Sequence, residues 1–245
     1  MNSFSSYRAV HFSKYHWLCD TNLAEWIVEN LNPYGNSIID VGCGNGFMLD
    51  YYKGCFNKIA AIDPNEKLIS GIVQHNKDVN VEIKKAAAEK IPFEDNSFDI
   101  AFSKSSLHHF EDLQQGLLEM ERVARKAVAV MEVITPSNEC IPFLKELLIT
   151  KEKERSSDSI FTFEKLKDIL NTTFGTKRIF QMLYDQYIDL ETWIQYSDLN
   201  ENEKQSLFNY VISMDKNTSE KMQLHIRYGH HVMLRRMCLC ICFVE

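Results

Sequence analysis

The chain has 245 residues, 45% of them hydrophobic and 25% charged, with a formal net charge of −7. That size and apolar content suit one large domain, or one domain with a small cap, built around a sizeable core. The acidic balance and the lack of a Lys/Arg-rich block argue against a nucleic-acid backbone as partner; no apolar run reaches the length of a membrane span, and residues 1–10 lack the basic-then-apolar order of a secretory signal.

The first 35 residues are aromatic and irregular, with Phe4, Tyr7, Phe12, Tyr15 and Trp17. The spacing of Leu23, Trp26, Ile27 and Leu31 predicts a helix over 21–31, which Asn32-Pro33-Tyr34-Gly35 stops. Strands and helices then alternate. Strands are expected over 37–41, 58–63, 79–84, 98–103 and 127–133, and helices over 46–53, 66–74 and 112–125. Short apolar strands separated by helices imply an α/β fold whose parallel sheet is covered on both faces and doubly wound. Beyond Thr135-Pro136 the pattern changes to helices over 141–151 and 163–171, separated by a charged loop or frayed helix end at 151–157. A strand over 177–184, helices over 190–196 and 201–214 (the second capped by Asn200) and a final antiparallel strand over 233–244 complete the chain. Residues 1–35 are read as a helical collar or lid. Residues 36–245 are read as one α/β domain with a helical insertion on the acceptor side at about 185–230.

The segment Ile38-Ile39-Asp40-Val41-Gly42-Cys43-Gly44-Asn45-Gly46 reads as a buried strand, a loop without side-chain bulk and a helix start. Such a loop lets backbone N–H groups approach a ligand closely. In open parallel sheets, ligands sit beyond the carboxyl ends of the strands. Asp63, at the end of the second strand and 21 residues after Gly42, is placed to accept from the two hydroxyls of a ribose. A dinucleotide fingerprint needs Gly-x-Gly-x-x-Gly. From Gly42 its third glycine would fall on Phe47, and from Gly44 on Leu49, so neither register fits. The acid two residues before the first glycine would repel a pyrophosphate and attract an ammonium.

The stretch resembles the class I S-adenosylmethionine-dependent methyltransferases, most of all the small-molecule group that includes the ubiquinone/menaquinone-type enzymes. The resemblance rests on Asp40–Gly46, on Ile62-Asp63-Pro64-Asn65, on the run from Ala88-Glu89 to Asp99, and on Ser106-Leu107-His108-His109-Phe110. It implies a Rossmann-like fold with S-adenosylmethionine as cofactor. By that resemblance the Gly42, Gly44 and Gly46 loop holds the methionine portion, with Asp40 near its amino group. Asp63, beside Pro64, takes the ribose; Ala88 and Glu89 flank the adenine, and Ser103 lies under the sulfonium. One departure is Ala86-Ala87, where family members often carry an acid for the adenine amino group.

Methyl transfer needs alignment more than a base. His108 and His109 are candidates for a general base, or else cap and pack the next helix. Tyr15, His16 and Glu132 are candidates for the acceptor pocket. Seven cysteines form an odd set without small-scaffold spacing, the pattern of reduced thiols in a cytoplasmic protein. Cys238, Cys240 and Cys242 share one face of a strand and are expected to pack rather than hold metal. His230 and His231 point to opposite sides of a strand and make a poor joint ligand pair; no metal is expected. The reading is methyl transfer to a small molecule, with a peptide acceptor, a nicotinamide-dependent oxidoreductase and a non-catalytic cofactor-binding relative as alternatives.

Overall fold

The computed structural model describes residues 14–75, 81–152, 160–175, 179–195, 197, 199–227 and 229–244. In chain order the elements are α1 (Lys14–Leu31), β1 (Ser37–Val41), α2 (Leu49–Tyr52), β2 (Lys58–Asp63), α3 (Glu66–His75), β3 (Val81–Lys85) and β4 (Phe98–Lys104). Then come α4 (Leu113–Val123), β5 (Ala124–Ile134), α5 (Ile141–Glu152), α6 (Phe163–Phe174) and β6 (Ile179–Asp189). The chain finishes with α7 (Leu190–Gln195), α8 (Glu201–Ile212), α9 (Lys216–Lys221), β7 (His225–Arg227) and β8 (His230–Phe243).

Two compact units divide the chain. One comprises residues 23–132, 164–183 and 238–245, the other residues 1–22, 133–163 and 184–237. The strand order is β3-β2-β1-β4-β5-β8-β6, with β7 paired to β8. β1, β2, β3, β4 and β5 pair in parallel, and the C-terminal strand is antiparallel, as expected from the sequence. β1 lies between β2 and β4, so Ile38, Ile39 and Val41 are shut off from solvent on both faces, as are Ile62, Ile100 and Phe102 beside them. Burying each such side chain stabilises the fold by roughly 1.5–3 kcal/mol. That is why these strands read as continuous apolar runs rather than alternating ones.

The second unit has its own apolar core, formed by residues such as Phe143, Leu147, Leu190, Leu207, Val211 and Met233. In it, α8 carries a complete capping box: Asn200 accepts from the Glu203 N–H, and Glu203 accepts from the Asn200 N–H.

Several elements differ from expectation. The helix expected over 46–53 is only Leu49–Tyr52, because Gly46 sits at φ +74° and turns occupy 44–48. α1 begins at Lys14, ahead of the expected 21, and β6 runs on to Asp189. α9 and β7 carry too little pattern in six and three residues to be read in advance. Phe4, Tyr7, Phe12 and most of the charged segment at 151–157 lie outside the described residues.

Candidate functional site

The parallel pairing sets the carboxyl ends of β1, β2 and β4 side by side: Asp40 is level with Ala61 on one neighbour and Phe102 on the other. The loop leaving β1 is fastened from β2, because the N–H groups of Gly42 and Cys43 both donate to the Ile62 carbonyl at 2.9 and 3.0 Å. Gly42 is at φ +75°, where a side chain is strained. A Cβ there would stand 2.3 Å from the Ser106 Oγ, whose hydroxyl donates to the Gly42 carbonyl at 2.9 Å. Only a glycine allows that approach. Around Gly44 nothing lies within 4 Å of a would-be Cβ, so the loop's open side faces free space. That space is a cleft of about 540 Å³, lined among others by Asp40, Gly44, Phe47, Asp63, Lys104 and Phe110.

The two acids are built differently. Asp63 is 8% exposed, and each of its oxygens already accepts a backbone N–H: Oδ2 from Gly44 at 2.9 Å and Oδ1 from Asn65 at 2.8 Å. It therefore pins the glycine loop to the end of β2. A carboxylate has about four lone-pair sites, so each oxygen keeps room for one more donor. Asp40 is fully buried and accepts from the Tyr52 hydroxyl at 3.2 Å. Burial raises its carboxyl to about 7, opposed by the Tyr52 hydrogen bond and the Lys104 charge and assisted by Asp63. The same burial pushes the Cys43 thiol far above its ordinary range, consistent with a small packed side chain rather than a nucleophile.

Among the residues predicted for cofactor contact, Asp40, Gly42, Gly44, Asp63, Pro64, Ala88 and Glu89 line this one cleft, and His109 joins them. Gly46 shapes the loop but is not among the lining residues. Nor is Ser103, which is wholly buried on β4 with its Oγ unpartnered among the described residues. β4 runs one residue past the expected end. Ser105, at φ +51° and donating to the Met131 carbonyl at 2.7 Å, then turns the chain, so Lys104, Ser105 and Ser106 reach the cleft instead. Of the lining residues not predicted, Phe110 and Ser106 sat inside the recognised motif, whereas Lys104 and Phe47 carried no sequence signal.

Glu132 is also absent from the cleft lining. It is 1% exposed, accepts the Leu107 N–H at 2.8 Å and lies 3.1 Å from the His108 Nδ1. With Nδ1 protonated, that contact fixes the ring's tautomer and leaves Nε2 as the acceptor. The His108 and His109 rings lie 4.2 Å apart, so a buried His–Glu pair stands one ring behind the cleft. Glu89 accepts the Asp112 N–H at 3.1 Å, and Asp112 caps α4 through the Gln115 N–H at 3.0 Å. Tyr15 and His16 fall on α1, and their side chains are outside the described residues. Cys238 and Cys240 are buried with sulfurs 3.6 Å apart, and the group of three or more possible metal donors found among the described residues contains no cysteine.

Residues 39–131, which contain this loop and most of the cleft, match the family described as a methyltransferase domain. Curated proteins similar to this stretch include the ubiquinone/menaquinone biosynthesis C-methyltransferase UbiE of Hahella chejuensis, 31% identical over 113 residues, covering 42% of this chain and 45% of that protein. The demethylmenaquinone methyltransferase of Chlorobaculum parvum is 30% identical over 115 residues, 46% of each. In the matched stretch the chain spans less than half the length of these curated relatives. The YcgJ protein of Bacillus subtilis has the same fold, with a TM-score of 0.78 at 14% identity over 92% of this chain and 99% of that one. A SAM-dependent methyltransferase from Aquifex aeolicus matches with a TM-score of 0.54 at 16% identity over 99% of each chain.

Proposed function

We propose that the protein binds S-adenosylmethionine in the Gly42–Asp63 cleft and transfers its methyl group to a small molecule. The observation that carries this reading is the pairing of an open, left-handed glycine loop with two dissimilar buried acids at its base. The donor set fits the cofactor: a carboxylate for the ammonium, a second carboxylate with spare lone pairs for the ribose hydroxyls, and main-chain groups of the loop for the amino-acid tail. When bound, the cofactor supplies an electrophilic methyl on a sulfonium. In this reading Asp63 both pins the loop and accepts from the ribose, and Asp40 in its ionised form balances the ammonium. Ala88 and the Phe110 ring offer an apolar seat for the adenine. Phe110 is itself held there by close approach to α4, where a Cβ on Gly116 would meet its ring at 2.5 Å. In this reading His109, oriented by the His108–Glu132 pair behind it, takes a proton from the acceptor.

In this reading the choice of acceptor rests on residues beyond 131, where the family match ends. A small-molecule acceptor accords with the acidic chain, which disfavours RNA. A cytoplasmic location is part of this proposal, supported by Cys43, Cys140, Cys238 and Cys240, which are buried thiols that form no disulfide. No helix among the described residues is long and apolar enough to cross a membrane. Titration calorimetry with S-adenosylhomocysteine and, separately, with NAD tests the reading. Saturable binding of the first alone is expected; binding of NAD alone, or of neither, overturns it.

A further inference from the structure

The second unit holds a group of donors that the methyl-transfer reading does not use. Asp189 ends β6, Glu191 lies in the first turn of α7, and His230 opens β8; one ligand atom from each lies within 4.8 Å of the others. Asp189 is not a solvated surface acid. It is 1% exposed, and its partners are the Thr192 N–H, 2.9 Å from Oδ1, and the His230 Nδ1, 2.9 Å from Oδ2. No lysine or arginine pairs with it among the described residues. A buried carboxylate is costly without a cation. Glu191 is likewise held in place: its carboxylate accepts the His231 backbone N–H and lies 2.7 Å from the His231 Nδ1. Each carboxylate is thus oriented by a partner outside the group of three, the arrangement that fixes ligands around a metal. His230 is 55% and Glu191 40% exposed at the side chain, which leaves a path for entry.

We propose that Asp189, Glu191 and His230 bind one divalent first-row transition ion, with His231 as a positioning residue for Glu191. Two carboxylates and a neutral imidazole carry a charge of −2, which such an ion cancels. One nitrogen and two oxygens suit Zn²⁺ or Mn²⁺. Mg²⁺ and Ca²⁺ favour all-oxygen shells, so the imidazole selects against them. The ion joins the β6–α7 junction to the start of β8, across the stretch 190–229 that contains α7, α8, α9 and β7. Closing a stretch of that length is where a metal clip stabilises most. The inference does not depend on the methyl-transfer reading.

The test uses the full chain without a polyhistidine tag, stripped with chelator and titrated with ZnCl₂, MnCl₂ or MgCl₂ in a calorimeter. Zn²⁺ or Mn²⁺ is expected to bind at one site, to raise the melting temperature and to bind at least tenfold more weakly in both His230→Ala and Glu191→Gln. His225→Ala, a nearby histidine outside the group, keeps wild-type affinity. Circular dichroism of the metal-free variants checks that they remain folded, and His230 is exposed enough for that to be expected. Absence of saturable Zn²⁺ and Mn²⁺ binding overturns the proposal, as does a loss of less than tenfold in the two variants or equal binding of Mg²⁺.

Discussion

The cleft in residues 40–111 and the donor group at residues 189–231 each contain a buried acid, yet they use their acids in opposite ways. In the cleft, backbone geometry leads: Asp63 spends an oxygen each on the Gly44 and Asn65 N–H groups, and its job is first to hold a loop. In the second unit, side chains lead: Asp189 and Glu191 face imidazoles contributed by a strand from far along the chain. A site made of main chain tolerates few residue types and leaves a local signature. A site made of side chains from distant segments leaves almost none. This contrast accords with a family match that covers 39–131 and stops before the second unit.

The sharpest way to break the comparison is a matched pair of glycine substitutions. Gly42 and Gly229 are both left-handed, at φ +75° and +84°, but only Gly42 is hemmed in. Gly42→Ala should abolish measurable S-adenosylhomocysteine binding in calorimetry, since backbone strain adds to a collision with Ser106. Gly229→Ala should cost only about 1–2 kcal/mol of stability in denaturant unfolding, with affinity intact. Equal effects of the two would show that the surroundings of Gly42 do not matter.

Next in size is Asp63→Ala. Losing charged hydrogen bonds worth about 1.5–3 kcal/mol should weaken cofactor affinity by about 10- to 100-fold, and Asp63→Asn by less, because its amide oxygen still accepts from one N–H. Unchanged affinity in either variant would mean the loop holds its shape without this acid.

A smaller, pH-dependent effect belongs to Asp40. Burial holds its carboxyl at about 7, against 3.8 for the ordinary group, so between those values the folded chain keeps a proton that the unfolded chain releases. The stability this group contributes is present in full below the lower value and is lost as pH rises through about 7. An ammonium ligand favours the ionised form. Cofactor affinity should therefore climb as pH passes 7, with proton uptake by buffer visible in the binding heat, and Asp40→Asn should flatten the climb. A wild-type affinity that is level from pH 6 to 8 would remove Asp40 from the ammonium's company.

The smallest expected change is in His108→Ala. Turnover in a tritiated-methyl assay should fall several-fold through loss of His109 orientation, with cofactor affinity spared and the pH profile of turnover shifted. A merely structural role would leave that profile in place.

Much of the cleft could be read in advance. The glycine loop and Asp63 are local features, three glycines at alternate positions and an acid closing an apolar strand, and the structure brings them together. Ser103 stays out of the cleft lining for a reason of phase: β4 extends to Lys104 and turns at Ser105, and one residue's difference at a strand end decides which side chain meets the cleft. In the sequence Glu132 reads as a strand-end acid facing an acceptor. Parallel pairing of β4 and β5 instead sets Glu132 under Leu107 and His108, 25 and 24 residues away.

Sequence alone determined what depends on neighbours along the chain: buried parallel strands from continuous apolar runs, a loop only glycine can line, an acid that closes the second strand. Tertiary structure decided what depends on register and distance. It tied both oxygens of Asp63 to backbone, buried Asp40 until its carboxyl rose to about 7, hid His108 against Glu132 and set His230 against Asp189. The physical reason is that hydrogen bonding and desolvation act over a few ångströms of space, whatever the number of residues between the partners.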